Sequence, residues 1–409
     1  MKNLARHSLW LLGSRLAAQA GMAVFSILVA RKLGSAAFGE YALIAALLVI
    51  GNLLSTFGTD MHLVREIAAH GDLRPLLPAL IVQLGLAAML AMAVFTLAPH
   101  LSAQGSTALR IYSFSLFPLA FFTVFSTALR GKQQMSAIAL LNLLLAIMQV
   151  SAAVGLYWMN GNLVSLAWCL LAIQVMTAIT AGVICLQVIP GFMEPWRQIQ
   201  PTAIRSLIAA CAPMAYLSIT IVFYQRLAQV LLPFLAGATP AGHFSVAARL
   251  LEVAKIGHVA VFTAIYPMLS KKTSDGPAVL PWGMLLGATA LGAVTLTLLA
   301  NPLISWLFGS EYLPAVPVLR ILVWSLLPYT VSNLGSLALL AEKQESAVAR
   351  TASLSLLVLA GLLCWWGWLS GPQGAAWAIL TAESLQCMLL LNKFNHLRNR
   401  QALAAGRSW

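Results

Sequence analysis

The chain has 409 residues, 60% hydrophobic and 9% charged, with a net charge of +13 and a mean hydropathy of +0.87. Soluble domains carry about a quarter charged residues, so a water-exposed globular surface is excluded and a polytopic membrane protein is implied. In a soluble protein the positive excess would suggest nucleic acid; here its placement along the chain gives it another meaning.

The N-terminus is basic and then apolar over Leu9–Ala30. That run is long for a signal peptide, holds Arg15 and Gln19, and lacks a small-residue cleavage site, so it reads as a first transmembrane helix. A crossing needs about 20 apolar residues. Eleven further runs qualify: Tyr41–Asp60, Leu76–Ala98, Leu109–Leu129, Ala137–Trp158, Val164–Val188, Ser206–Ala236, Gly242–Leu269, Leu280–Leu299, Val316–Leu340, Ala347–Leu369 and Ala375–Leu391. With the N-terminus inside, sixteen Lys and Arg residues fall in cytoplasmic segments, three in outer loops and five within spans. This asymmetry orients the chain with both termini in the cytoplasm. Most of the +13 is therefore a topology signal, and no nucleic acid partner is expected.

The longest polar connection, Pro190–Arg205 ("PGFMEPWRQIQPTAIR"), is amphipathic and basic. It reads as a linker along the inner leaflet between a six-helix bundle over 1–189 and a second over 206–409, which ends in a basic tail. The five cysteines all lie in apolar runs without metal-ligand spacing. They read as small packing residues, so no metal, disulfide or cofactor is expected.

Four short matches recur in order at offsets of 203 to 211. Lys132-Gln133 aligns with Lys343-Gln344, and Ser136-Ala137 with Ser346-Ala347. Gly34 and Gly39 align with Gly237 and Gly242, and Asn160-Gly161 with Ser370-Gly371. An internal duplication separated by six spans preserves orientation, which predicts parallel repeats about a pseudo-two-fold axis along the membrane normal. A central cavity and alternating access would follow.

Charges inside spans are costly and mark partners or pathways. Span eight ("ARLLEVAKIGHV") places Arg249 and Glu252 three residues apart, where they can pair. Lys255 follows on the same flank, about 9 Å from Arg249 at ~1.5 Å per residue; His258 has turned to another face. Span seven offers Arg226 between Gln225 and Gln229, and span one Arg15 with Gln19 four residues on. Arg320 lies near an outer end. Of the acids, Asp60 lies at the inner end of span two and Glu383 stands alone in the middle of span twelve. Asn52, Gln83, Asn142, Gln149, Gln174 and Asn333 read as interhelical hydrogen bonders. Arginine forks match phosphate oxygens, so a cavity lined by Arg15, Gln19, Gln225, Arg226, Gln229, Arg249 and Lys255 favours an anionic, polyhydroxylated ligand.

These residues also carry a resemblance. "ARKLGSAAFGEYAL" (30–43), "LVREIA" (63–68), "RLAQVLLPFLAGATPAGHFSVAARLLE" (226–252), "NPLISWLFGSEYLPAVPVLRIL" (301–322) and "GPQGAAWA" (371–378) resemble the Wzx-type polysaccharide flippases over nearly the whole chain. That family belongs to one superfamily with the multidrug and toxin extruders and the lipid II flippases. The resemblance implies an all-α integral membrane protein, with two six-helix bundles in a MATE-like V. It also implies outward movement of undecaprenyl-pyrophosphate-linked sugar units for O-antigen or exopolysaccharide synthesis, with proposed proton antiport. Family members often carry an acid two residues after the span-seven arginine, where this chain has Ala228, and a glycine where it has Pro233. Ion coupling therefore shifts to Glu252, Asp60 or Glu383.

The leading expectation is a flippase of the bacterial inner membrane. Its substrate would be a polyprenyl-pyrophosphate-linked oligosaccharide, and its neighbours membrane lipid, a polysaccharide polymerase and a chain-length regulator. The alternative is a cation-coupled multidrug or metabolite exporter of the same fold, for which Glu383 would be the binding carboxylate. A lipid-using glycosyltransferase would need large outer loops with acidic residues. Only Glu40 and Glu311 occur there, so an enzyme is not expected.

Overall fold

The computed structural model describes the backbone of residues 2–102, 105–193, 201–270, 279–341 and 344–405. Among these residues there is no strand. The helices are α1 (Lys2–Thr56), α2 (Thr59–His70), α3 (Leu76–Leu101), α4 (Ser106–Ser113), α5 (Leu116–Gly131), α6 (Met135–Trp158), α7 (Leu163–Val188), α8 (Pro201–Ala236), α9 (Ala238–Ser270), α10 (Val279–Leu307), α11 (Ala315–Leu322), α12 (Leu326–Ala341) and α13 (Glu345–Ala405). Two 3-10 turns, Ser310–Tyr312 and Val323–Ser325, flank α11. Backbone groups in lipid must be satisfied within the chain, and in the absence of a closed barrel only helices do this.

Nine apolar stretches among the described residues are long enough to cross a bilayer. Two are double length: Ala17–Thr56 has 40 residues and Ser346–Phe394 has 49, against about 20 for one crossing. Each contains a glycine with positive φ, Gly34 (φ 77°, ψ 172°) in α1 and Gly371 (φ 55°, ψ −128°) in α13. A side chain at either position would be strained. These breaks fall where the sequence places the loops after spans one and eleven.

The helices pack as two compact units, residues 1–226 and 227–409, and the chain passes from one to the other within α8. Residues 206–226, assigned by sequence to the second bundle, pack within the first unit. Leu207 and Cys211 join a buried core with Leu63, Ile67, Leu129 and Leu141. Gly58 (φ 69°) lies so close to α8 that a Cβ would come within 2.8 Å of the Ala215 nitrogen. Residues 194–200 of the expected linker lie outside the described residues.

The two units carry the same devices at the same spacing. In the first, the Gln134 amide donates to the Leu129 carbonyl at 2.8 Å, and in the second Gln344 donates to Leu339 at 2.9 Å. One turn later, Ile138 donates to Gln134 and Val348 to Gln344, both at 3.3 Å. The hinge repeat thus has a single offset of 210, and Gln134, rather than Gln133, is the counterpart of Gln344.

A second repeat escaped the sequence reading. Leu109-Arg110-Ile111, Ser115-Leu116 and Pro118 recur as Leu319-Arg320-Ile321, Ser325-Leu326 and Pro328, again at 210. Both copies break what the sequence reads as one span, giving α4 then α5 and α11 then α12. Proline lacks the amide proton and clashes with the carbonyl four residues back, here at Phe114 and Trp324. The chain answers with tighter turns at 112–117 and a 3-10 turn at 323–325. Ser115 and Ser325 are fully buried in these breaks.

Candidate functional site

The clearest charged cluster lies in the second unit, where α9 meets α11 and α13. Glycine at 237 (φ 96°) ends α8 and lets α9 begin one residue later. Down α9, the Arg249 guanidinium donates to Glu252 from Nη1 to Oε2 at 2.8 Å, as the three-residue spacing predicts. Two turns below Arg249, the Lys255 ammonium lies 3.9 Å from Oε1 of Glu383 on α13. It also stands 4.1 Å from the centroid of the Tyr329 ring on α12, a cation–π distance.

This corrects the reading of Glu383 as isolated. It is 5% exposed and shares its site with a lysine from a helix more than a hundred residues earlier in the chain. An unpaired carboxylate so buried would be prohibitive. Lys255 supplies the counter-charge, and Tyr329 gives the ammonium a second, uncharged partner. No one-dimensional signal pairs 255 with 383. Tyr329, which sequence reasoning did not select, was visible only as the residue after the repeated Ser-Leu-x-Pro.

Asp60 needs a second correction. It does not lie on a span; it is in the first turn of α2, a short amphipathic helix that begins after the break at Phe57 and Gly58. There it is half-buried and complements the helix N-terminus. Of the remaining candidates, Arg226 is half-buried, Gln225 exposed and Gln229 buried on α8. Gln19 is exposed, while the Arg15 and His258 side chains lie outside the described residues. Arg320 is exposed at the end of α11.

Among the expected interhelical bonds, Gln83 donates to Thr59 Oγ1 at 2.8 Å, joining α3 to α2. Asn333 donates to Tyr329 within its own helix, and Asn52 Oδ1 is buried without a hydrogen-bond partner. Glu40, read as an outer-loop acid, is buried and accepts from Ser102 Oγ. Among the described residues, no group of three or more His, Cys, Asp or Glu side chains could hold a metal.

The described residues form a multi-pass helical membrane protein with paired charges inside its helices. The chain belongs to the family described as polysaccharide biosynthesis protein, whose profile matches residues 4–272. Solved structures share its fold. The lipid II flippase MurJ in an inward closed conformation aligns with a TM-score of 0.73 at 16% identity, covering 96% of this chain and 87% of that one. An inward-facing multidrug resistance MATE family transporter of the MOP superfamily aligns at 0.68 and 14% identity, covering 98% and 96%. A MOP superfamily transporter from Pyrococcus furiosus, described as having a binding pocket of reverse polarity, aligns at 0.60 and 14%, covering 99% and 96%. A search of curated proteins gives no significant match. The all-α, MATE-like membrane fold expected from sequence is thus the observed one.

Proposed function

We propose that this protein is a flippase that carries polyprenyl-pyrophosphate-linked oligosaccharide units across the bacterial inner membrane for surface polysaccharide synthesis. It would cross the membrane twelve times with both termini in the cytoplasm, act by alternating access, and work beside a polymerase and a chain-length regulator. The observation that carries this reading is the set of cations within long helices of a polysaccharide biosynthesis family member. Arg226 lies on α8 and Arg249 and Lys255 on α9. A pyrophosphate needs such charges in a medium that offers no water, and guanidinium forks suit its oxygens. Gln225 and Gln229 beside Arg226 would take sugar hydroxyls, and Arg15 with Gln19 would extend the polar path on α1.

The alternative, a cation-coupled drug exporter, requires Glu383 to receive a cation. Its carboxylate already faces the Lys255 ammonium, which repels a second positive charge, so the anionic substrate is favoured.

The test is complementation of a strain lacking this protein. Arg226→Ala and Arg249→Ala should each reduce surface polysaccharide at least about tenfold, the effect of losing ~1.4 kcal/mol of binding, with membrane levels of the protein unchanged by immunoblot. Full surface polysaccharide from both variants would overturn the assignment.

A further inference from the structure

We propose that Glu383 is a resident stand-in for the substrate's phosphate. It occupies the anion subsite formed by Lys255 and Tyr329, and an incoming pyrophosphate displaces it. This inference rests on the flippase reading and adds a role for Glu383 within it.

The geometry has three parts. First, the Lys255–Glu383 contact of 3.9 Å lies beyond the ~2.7–2.9 Å of a charge-assisted hydrogen bond, so the pair attracts without locking. Second, the lysine side chain is 25% exposed and the glutamate only 6%. The ammonium is thus the more accessible of the two groups. Third, the Tyr329 ring 4.1 Å from the ammonium holds Lys255 in place when its ionic partner changes. Arg249, two turns away on α9, has its own carboxylate in Glu252 at 2.8 Å.

The exchange has a proton consequence. A glutamate shielded from water that loses its counter-charge cannot remain ionised at acceptable cost. When Lys255 turns to the phosphate, the Glu383 carboxylate takes up one proton. Among the described residues, no other charged group faces it. From α9 it faces Lys255, whose ammonium in turn lies over the Tyr329 ring of α12, and along α13 it has Cys387 one turn on. The charged residue of α11, Arg320, is exposed at that helix end. Anion and proton therefore bind together, the opposite of the competition that a proton antiporter requires. The sign follows from linkage: affinity for the anion is higher at low pH and falls as pH rises.

Binding of farnesyl pyrophosphate to the purified full-length protein in nanodiscs, measured by calorimetry at about pH 6 and about pH 8, tests this linkage. Relative to Glu383→Gln, wild type should lose affinity as the pH rises from about 6 to about 8. Glu383→Gln should bind about tenfold more tightly and lose the part of the pH dependence that the protein contributes; the part due to the probe's own titration remains in both. Lys255→Gln added to Glu383→Gln should abolish that gain. If Glu383→Gln does not fold, Glu383→Asp, which keeps the charge but retracts it, should give a smaller gain in the same direction. Equal affinities and equal pH slopes for wild type and the Glu383 variant would overturn the exchange while leaving the flippase reading intact. Failure of wild type to bind the probe at either pH would overturn the flippase reading itself.

Discussion

The two units repeat a frame and differ in what they put inside it. Both have a glycine of positive φ near the start, a proline-enforced break between two half-helices, and a turn closed by glutamine five residues after a leucine. At the offset of 203, Lys255 corresponds to Asn52; at 210, Tyr329 corresponds to Leu119 and Glu383 to Ile173. The ion pair of the second unit is thus an asparagine and an isoleucine in the first, and both Glu383 and Ile173 are 5% exposed. Backbone devices are kept because each solves a local problem of satisfying hydrogen bonds in lipid. Buried charge can be discarded because it contributes little net stability. A charged cluster held by one repeat and absent from the other is then best explained by function.

The sharpest test of that contrast is a stability comparison. Lys255→Met leaves Glu383 buried without its counter-charge and should cost about 3–5 kcal/mol, read as a fall in melting temperature of the purified protein. Adding Glu383→Leu should recover most of it, because an apolar pair of similar volume replaces an ionic one at little cost. The matching change in the first unit, Asn52→Leu, should be neutral or slightly stabilising, since Asn52 Oδ1 has no hydrogen-bond partner to lose. An Asn52→Leu penalty as large as that of Lys255→Met would end the distinction between the units.

This difference also explains what could be read from the sequence. The Arg249–Glu252 pair was legible because helical spacing alone brings residues three apart together. The repeat was legible through its hinge glycines, serines and glutamines, which turns require for local reasons. The Lys255–Glu383–Tyr329 cluster was not, because it joins α9, α12 and α13 through tertiary packing, and no local rule fixes which faces meet. Asp60 was misplaced for a different reason. Apolar composition runs on through residue 60, and the break at 57–58 depends on Gly58 approaching the backbone of Ala215, a contact with α8. The proline breaks were missed because hydropathy averages across them.

A smaller effect concerns the residue that follows the conserved glycine spacing in each unit. At the offset of 203, Glu40 corresponds to His243. Each reaches the connection between its unit's long third-span helix and the half-helix after it. Glu40 accepts from Ser102, whose oxygen in turn accepts from the Gly105 amide at 2.8 Å. His243 presents its ring edge-on to Tyr312, with centroids 6.1 Å apart, and its Nε2 is buried without a hydrogen-bond partner. Ser102→Ala should therefore cost about 1–3 kcal/mol by leaving the carboxylate and the amide unsatisfied. His243→Phe keeps the aromatic contact and removes the unsatisfied nitrogen but loses the ring's hydrogen bond to the Glu311 backbone, so it should cost about 0.5–1 kcal/mol, less than Ser102→Ala. Chemical denaturation of the two variants gives the comparison directly, and equal losses would mean that His243 bears a polar load like that of Glu40.

The smallest effect belongs to the hinge itself. Lys132 donates to the Gly71 carbonyl at 2.7 Å, at the end of α2, where a cation complements the helix terminus. The bond is exposed, so Lys132→Ala should lower global stability by less than about 1 kcal/mol. Its consequence should be local, because α2 is only 12 residues long and a short helix depends on its ends and its packed face. Amide hydrogen exchange over 59–70 should accelerate several-fold in Lys132→Ala while α5 and α6, which flank the hinge, keep their protection. Unchanged exchange in α2 would show that Leu63 and Ile67, both buried in the unit's core, hold the helix without the cap. The lysine would then contribute only its positive charge, the role that the charge asymmetry of the sequence assigns it.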